Sequence, residues 1–231
     1  MQNSPDLKVL GKAIGVPIRN VDLYFAALTH RSYLNEEPNW PHGHNERLEY
    51  LGDAVLELIV SEALYEKFPD EPEGQLTLLR ASLVNYQLLA RVAEEMELNR
   101  FLLMSRGENR DMGKAREVIL ANAMEALIGA IYLDRGFEPV KKFVTRFVME
   151  RLGEIVKSGS YKDAKSELQE IVQEKKKVTP SYRVLEETGP AHKRVFRIGV
   201  YFGDELIADG EGSSKQEGET EAAKKALEKI K

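Results

Sequence analysis

The sequence predicts a mainly α-helical first domain joined to a small α+β domain with the element order α-β-β-β-α. In the first two thirds of the chain, apolar residues recur three and four positions apart, as in "LTLLRASLVNYQLLARVAEEM". Residues 153–162 are small, polar and glycine-bearing, which is typical of a linker. Beyond them, "VFRIGVYF" alternates with the period of a half-buried strand. We therefore predict domains at residues 1–152 and 163–231, separated by a flexible linker.

Turn residues mark the elements of the second domain. A helix is predicted over residues 164–176, and the strands lie within "PSYRVLEE", "RVFRIGVYFGDE" and "LIADGEG". The pairs Gly189-Pro190 and Gly203-Asp204 separate these strands. The last helix is predicted from about Ser214 to Ile230, with serine as the N-cap candidate.

Composition indicates a soluble protein of the cytoplasm. The 231 residues include no cysteine, which excludes a disulfide framework and a thiolate metal site. The most apolar run, Val118 to Leu133, is shorter than a membrane span and contains Asn122 and Glu125. We expect no membrane association.

The net charge is −5, and it is unevenly distributed. Residues 162–231 contain 14 basic and 14 acidic side chains, which leaves 33 − 14 = 19 basic and 38 − 14 = 24 acidic in residues 1–161. Because local patches govern phosphate binding, the overall negative sign does not exclude a nucleic-acid partner.

The stretch "NERLEYLGDAVLEL" places three carboxylates on one helix face. At about 100° per residue, Glu46, Glu49 and Asp53 fall within roughly 60° of one another. We place Leu48, Leu51, Val55 and Leu58 on the opposite, apolar face. Taken alone, such a face has a second interpretation as an ordinary solvated surface.

A second helix, "VILANAMEALIGAIYL", is apolar all around and is therefore predicted to be buried. Only Asn122 and Glu125 interrupt it. A buried carboxylate is costly unless it is paired with a cation, so either a structural salt bridge to an arginine or a metal ion is expected. Together the two helices offer only oxygen donors, which suit Mg²⁺ or Mn²⁺ rather than zinc.

These segments closely resemble the nuclease domain of bacterial ribonuclease III. The resemblance is carried by "LYFAALTHRSY", "HNERLEYLGDAVLEL", "LTLLRASLVN" and "VILANAMEALIGAIYLDRG". The tail resembles the double-stranded-RNA-binding domain of the same family. The resemblance implies a homodimeric endoribonuclease that cuts duplex RNA with Mg²⁺, or Mn²⁺ as a substitute, and needs no small-molecule cofactor. The implied products carry 5′-phosphates, 3′-hydroxyls and short 3′ overhangs, and the implied role is processing of ribosomal and other RNA precursors.

The family's site residues carry over by position. The implied metal ligands are Glu49, Asp53, Asn122 and Glu125, and Asp53 and Glu125 are also the implied catalytic residues. Glu46 matches a family carboxylate near the subunit interface and the RNA.

The tail has an implied RNA-binding set as well. The first helix addresses one minor groove, the loop with His192 enters the next, and the last helix meets the phosphates between them. The implied contact residues are Ser166, Gln169, Glu170, His192, Ser214, Lys215 and Gln216.

The chain departs from the family pattern at three positions. Asn122 stands where the family has Asp, which removes one negative charge from the ion's shell. This is either a tolerated ligand replacement or a change that leaves the substrate bound and uncut. Gln216 replaces a frequent lysine, and Gly218 replaces a usual alanine, at an expected cost of about 1 kcal/mol to the helix.

Two rival functions follow from these features. One is a duplex-RNA-binding protein that does not cleave because of Asn122, and the other is a helical interaction module with an accidental carboxylate cluster. His30, His42 and His44 are interpreted as structural or loop residues.

Overall fold

The chain divides into two compact units, residues 1–161 and 162–231. The structure is a computed structural model that describes residues 4–110, 113–159, 164–190 and 194–230. Each unit has a hydrophobic core of its own. The predicted fold class, a helical unit followed by a helix–three strands–helix unit, is confirmed.

The described part of the first unit consists of α-helices joined by short loops and 3₁₀ turns. Polar side chains begin several of the helices: Asp6 accepts hydrogen bonds from two amides of α1, and Asn20 and Asn85 cap α2 and α5. The helices are α1 (Leu7–Ile14), α2 (Val21–Ala27), α3 (Glu46–Lys67), α4 (Glu73–Val84), α5 (Tyr86–Glu95), α6 (Lys114–Arg135), α7 (Phe137–Phe147) and α8 (Leu152–Ser158).

Helix α6 is the centre of the first unit, and α3 crosses it at backbone contact. A Cβ atom at Gly52 would lie 1.7 Å from the backbone oxygen of Glu125, and one at Gly129 would lie 2.4 Å from that of Leu48. Glycine is the residue that leaves room for such an approach. We call this contact the Gly52–Gly129 crossing, and it positions the candidate site described below.

The second unit packs two helices on one face of a three-stranded sheet. Its elements are α9 (Ala164–Lys176), β1 (Pro180–Thr188), β2 (Val195–Phe202), β3 (Glu205–Gly212) and α10 (Lys215–Ile230). The strands are antiparallel in the order β1-β2-β3. The inward register pairs Tyr182 with Val200 and Val200 with Ala208, and these residues meet α9 and α10 in the core.

Glycines let α10 lie directly on the sheet. A Cβ atom at Gly210 would lie 2.2 Å from the amide nitrogen of Ala222, and one at Gly218 would lie 2.6 Å from a side-chain carbon of Ile198. The sequence suggested that Gly218 weakens the helix. The structure shows instead that alanine would clash there, so the loss in helix propensity is accompanied by close packing.

Two expectations from the sequence are corrected. Residues 153–158, predicted as the start of the linker, belong to α8, whose Leu152 and Ile155 are buried in the first core. On α3, Leu58 was placed with the apolar face but is 58% exposed, whereas Leu56 and Ile59 are buried. The face of α3 that enters the core is therefore rotated slightly from the predicted one.

None of the helices in the described part of the chain carries an apolar stretch of the length that a bilayer crossing requires.

The Gly52–Gly129 crossing leads to a stability prediction. Gly52→Ala and Gly129→Ala should each separate α3 from α6, because the added methyl group meets backbone rather than a movable side chain. Overpacking of this kind costs about 1–3 kcal/mol, which lowers the melting temperature by roughly 5 °C in a chain of this size. Circular dichroism melting curves would measure it.

The matched control is Gly74→Ala in α4, where an added Cβ meets nothing within 4 Å. This variant should melt at or slightly above the wild-type temperature, because alanine is the better helix former. Equal melting of all three variants would contradict the packing argument.

Candidate metal centre and RNA-binding surfaces

The first half of the candidate metal centre lies on α3. Glu46 and Asp53 are exposed and Glu49 is half-buried, so the three predicted carboxylates follow one edge of the helix as it enters the core. Their spacing of three and four residues produces this line. It reaches α6 at Gly52, which lies beside Asp53.

The second half lies on α6. From Ile119 to Ile131 every residue is buried except Asn122 and Glu125, which are half-buried. Asn122 and Glu125 are therefore the partly exposed positions on an otherwise buried stretch of the helix. The predicted pair on the buried helix is found where the sequence placed it.

The crossing brings the two halves together. The Asn122 amide donates a hydrogen bond to the Glu49 carboxylate. The charges of Asp53 and Glu49 both act on Glu125 across the helix pair. Four of the predicted residues, Glu49, Asp53, Asn122 and Glu125, therefore form one cluster.

Glu125 is the electrostatically costly member of this cluster. Burial raises its pKa from 4.5 to about 8, and repulsion from Asp53 and Glu49 adds to the effect. Within the described residues, no lysine or arginine lies within 4 Å of its carboxylate. The structural salt bridge considered from the sequence is therefore absent from the described part of the chain.

The pKa of Glu49 is also raised, by the same kinds of interaction. Burial raises its pKa, Glu46 and Asp53 add repulsion, and the hydrogen bond from Asn122 acts in the opposite direction. An aspartate at position 122 could not donate this bond when ionised and would add repulsion. Asn122 thus lowers the electrostatic strain of the cluster.

The donor set fits a hard divalent cation, although the carboxylates do not form a complete coordination shell. No group of three or more His, Cys, Asp or Glu side chains in the described ranges is close enough together to hold a metal ion. Mutual repulsion of Glu49, Asp53 and Glu125 opposes such an approach. The oxygen-only chemistry of the four side chains matches Mg²⁺ or Mn²⁺.

Glu46, at the start of α3, has partners of its own. Arg31 Nη1 lies 3.4 Å from one of its oxygens, and His44 Nδ1 lies 3.8 Å from the other. The residue before it, Asn45, is buried, and its amide donates to the Thr29 carbonyl at 2.9 Å. The "THRS" segment thus fixes the start of the carboxylate helix, a link that the sequence analysis missed because the two segments are separated by a loop.

In the second unit, the predicted RNA-contact side chains lie on exposed helix positions. Ser166, Gln169 and Glu170 are exposed on α9, at a spacing that places them on one face. Ser214, Lys215 and Gln216 are exposed at the start of α10. His192 lies outside the described residues.

The start of α10 is capped as the sequence predicted. The Glu217 amide donates to Ser214 Oγ at 3.2 Å, and the Glu217 carboxylate accepts from the Ser213 amide at 2.8 Å. Hydrogen bonds from Ser213 hold the pKa of Glu217 below its ordinary value. The Lys215 ammonium lies 5.9 Å from the centre of the Phe196 ring.

Comparison with known proteins identifies both units. The family described as Ribonuclease-III-like matches residues 20–152, and the double-stranded RNA binding motif matches residues 164–230. The chain is similar to Ribonuclease 3 of Syntrophomonas wolfei, with 47% identity over 92% of this chain and 90% of that protein. It is 45% identical to Ribonuclease 3 of Carboxydothermus hydrogenoformans over 96% of this chain and 94% of the relative.

The first unit is also similar to solved structures of ribonuclease III nuclease domains. The nuclease domain of a Campylobacter jejuni ribonuclease III superposes with a TM-score of 0.57 at 40% identity. The match covers 63% of this chain and 97% of that one. The description of that structure concerns flexibility in a region involved in dimer formation.

The state of Glu125 leads to a prediction for the metal-free protein. Its folded pKa of about 8 lies above the ordinary 4.5, so the folded state keeps a proton that the unfolded chain releases as pH rises between these values. Stability should fall across this window. Glu125→Gln removes the titration and should be more stable than wild type by about 2 kcal/mol near pH 8.5, with a smaller gap near pH 5.

Thermal or urea unfolding in EDTA at the two pH values would measure the gap. The exposed Glu138→Gln of α7 is the matched control and should follow the wild type at both. A Glu125→Gln gap that is the same at both pH values would contradict the assigned protonation.

Proposed function

The chain belongs to the ribonuclease III family and is an endoribonuclease acting on double-stranded RNA; we propose that Mg²⁺, held at the Gly52–Gly129 crossing, serves its cleavage reaction. Enzymes of this family depend on a divalent metal ion. The proposed ligands are Glu49, Asp53, Asn122 and Glu125, with Asp53 and Glu125 also taking part in the reaction.

One observation carries this proposal. Glu125 opens from an otherwise buried helix toward two further carboxylates, and no cationic side chain of the described residues is within ion-pair distance. A fold that keeps such an arrangement bears a cost that a divalent cation would offset. The four side chains supply the oxygen ligands that Mg²⁺ prefers.

The side chains have separate tasks in the hydrolysis. When bound, Mg²⁺ lowers the pKa of a coordinated water and neutralises charge on the departing 3′-oxygen. Glu49 and Asp53 would hold the ion from α3 and the Asn122 oxygen would be a further ligand, while the Asn122 amide group orients Glu49. Glu125 must lose its proton for the ion to bind, so cation and proton compete for one carboxylate.

The second unit supplies the affinity for the duplex. The exposed face of α9 with Ser166, Gln169 and Glu170 would lie along one minor groove. The start of α10, with Ser214, Lys215 and Gln216, would face phosphates, because a helix N-terminus favours anions. His192 would enter the second minor groove. Such modules read the shape of the duplex over about 16 base pairs.

The alternative function, duplex binding without cleavage, is favoured by Asn122 alone. Its amide provides one neutral oxygen, so the ion would be held by three carboxylates instead of four. The same residue relieves repulsion at Glu49. Compared with aspartate, Asn122 would therefore lower the affinity for the metal ion and raise the stability of the metal-free fold.

The first unit also bears a surface suited to a second copy of the chain. Tyr50 is 83% exposed on α3, and it stands at the edge of a cleft of about 840 Å³. The apolar lining of this cleft comes from Leu23, Ala26, Leu48, Leu51 and Leu133. We propose a homodimer in which Tyr50 of each subunit fills the cleft of the other, with Glu46 at the rim. An aromatic anchor in an apolar pocket is typical of interface centres.

The cleavage assay tests the metal proposal. Glu125→Gln should abolish cleavage of a long RNA duplex at ordinary Mg²⁺ while duplex binding persists, because glutamine keeps the shape and removes the charge that holds the ion. Asn122→Asp should raise the rate, or lower the Mg²⁺ needed, by restoring an anionic ligand. Product analysis on denaturing gels measures cleavage, and filter binding measures affinity.

Glu138→Gln, outside the cluster, should cleave as the wild type does. If the wild type binds duplex but cuts it only after Asn122→Asp, the non-cleaving alternative describes the chain. Normal cleavage by Glu125→Gln would refute the ligand assignment.

Sedimentation tests the dimer. The wild type should sediment at about twice the chain mass of 26.2 kDa at micromolar concentration. Tyr50→Ala should shift it towards the monomer, because the aromatic anchor is lost. The matched control is Tyr65→Ala, which removes a tyrosine that is 74% exposed on the same helix and lies outside the cleft. A wild-type monomer, or equal effects of both substitutions, would contradict the proposed interface.

A further inference from the structure

His30 holds an unusual position at the start of the short 3₁₀ helix Arg31–Asn35. Its ring serves as the N-cap, with Nδ1 accepting a hydrogen bond from the Ser32 amide at 3.3 Å. Ser32 Oγ lies 2.8 Å from the same nitrogen. This hydroxyl also accepts from the Ser105 amide at 3.0 Å, on the segment that leads towards α6.

These bonds determine which ring nitrogen carries the proton. The Ser32 amide can only donate, so Nδ1 must present its lone pair. Ser32 Oγ accepts from Ser105 and so directs its own proton to Nδ1 as well. Burial lowers the pKa of His30 below its ordinary value, an effect larger than the attraction of Glu108 that opposes it. The ring is therefore neutral, with its proton on Nε2.

The Nε2–H group is a fixed donor with nothing to bind in the described residues. The ring is half-buried, and no hydrogen bond between described residues reaches Nε2. The charges that act on the ring come from Glu108, Arg31, Glu46 and His44. Arg31, which follows His30 in the chain, forms an ion pair with Glu46 at 3.4 Å.

We propose that His30 contacts the substrate, donating its Nε2–H to a ribose 2′-hydroxyl of the bound duplex. This inference rests on the proposed cleavage of duplex RNA. It assigns a sugar contact to the first unit, in addition to those of the RNA-binding unit, and it adds a substrate contact to the structural role that His30 has as an N-cap.

A neutral donor in the field of Glu108 and Glu46 suits a hydroxyl rather than a phosphate. A hydroxyl oxygen accepts from a neutral N–H without bringing a negative charge to these carboxylates. A phosphate oxygen only accepts, and its charge would be repelled by Glu46 and Glu108. Because the 2′-hydroxyl is the group that distinguishes RNA from DNA, this contact would make cleavage itself selective for RNA.

The experiment uses the whole 231-residue chain and a short RNA duplex with one cleavage site. Single 2′-deoxy substitutions are moved one nucleotide at a time across the positions flanking the scissile bond. At one position the substitution should lower the wild-type kcat/KM by about tenfold, the effect of one lost hydrogen bond. In His30→Asn the same substitution should cause no further loss.

His30→Asn isolates the contact from the cap. Asparagine is a favourable N-cap residue that can accept from Ser32, but it has no donor at the place of Nε2. His30→Gln is the reciprocal variant, which reaches the Nε2 position with an amide donor and should keep the 2′-deoxy penalty. His42→Asn is the control for loss of a neighbouring half-buried histidine and should also keep the penalty. Melting temperatures of all variants establish that they fold.

The assay is run in the wild-type chain and in the Asn122→Asp background, so that slow cleavage does not hide the effect. The inference is overturned if no position shows a 2′-deoxy penalty, or if His30→Asn retains it in full. If neither background cuts an all-RNA duplex, the proposed function fails, and the inference fails with it.

Discussion

The backbone contact between α3 and α6 is the constraint on which the candidate site depends. Gly52 lies between Glu49 and Asp53 in the sequence, and Gly129 follows Glu125 by one helical turn. Each glycine faces the backbone of the other helix. The two helices therefore approach more closely than they could if either position carried a side chain. Glu49 and Asp53, the carboxylates on either side of Gly52, are thereby brought close to Glu125 of α6. The geometry of the candidate site and the packing of the core are therefore set by the same two residues.

This arrangement destabilises the fold when no metal ion is bound. The apolar core that surrounds α6 withdraws water from Glu125, which raises its pKa, and the approach of α3 adds two further negative charges. The Asn122 amide offsets part of the repulsion by donating to Glu49. Stability and metal affinity therefore oppose each other at position 122, since the charge that would strengthen ion binding is the charge that strains the empty cluster. Functional sites commonly carry such a conflict.

Local patterns predicted most of the fold. The helix predicted at residues 164–176 is α9, and the alternating stretch "VFRIGVYF" is β2. These two predictions succeed because the hydrophobic period, 3.6 residues for a helix and 2 for a strand, can be recognised from residues that are close together in the sequence. The failures involve tertiary context. Leu152 and Ile155 enter the core from a stretch whose polar composition indicated a linker. Gly218 was assessed for helix propensity, whereas the nearby sheet explains it.

The candidate site divides in the same way. The carboxylates of α3 and the polar pair of α6 were identified from spacing within each helix, and the family resemblance joined them. His30 is connected to Ser105 through Ser32, and the hydrogen bond between Ser105 and Ser32 joins residues 73 positions apart in the sequence. A periodic pattern of neighbouring residues cannot reveal such a bond.

The distribution of charge gives the two units complementary tasks. Residues 1–161 carry 24 acidic and 19 basic side chains, and their acidic cluster would repel an RNA backbone, whereas residues 162–231 are balanced with 14 of each. A duplex held by the second unit is presented to the first at a high effective concentration, because one chain links them. The first unit then needs few phosphate contacts of its own. Neutral donors such as the His30 ring can recognise sugar hydroxyls beside carboxylates, where a lysine or arginine would pair with those carboxylates and compete with the metal ion for them. In this way the acidic surface that we propose as the metal site remains compatible with an anionic substrate.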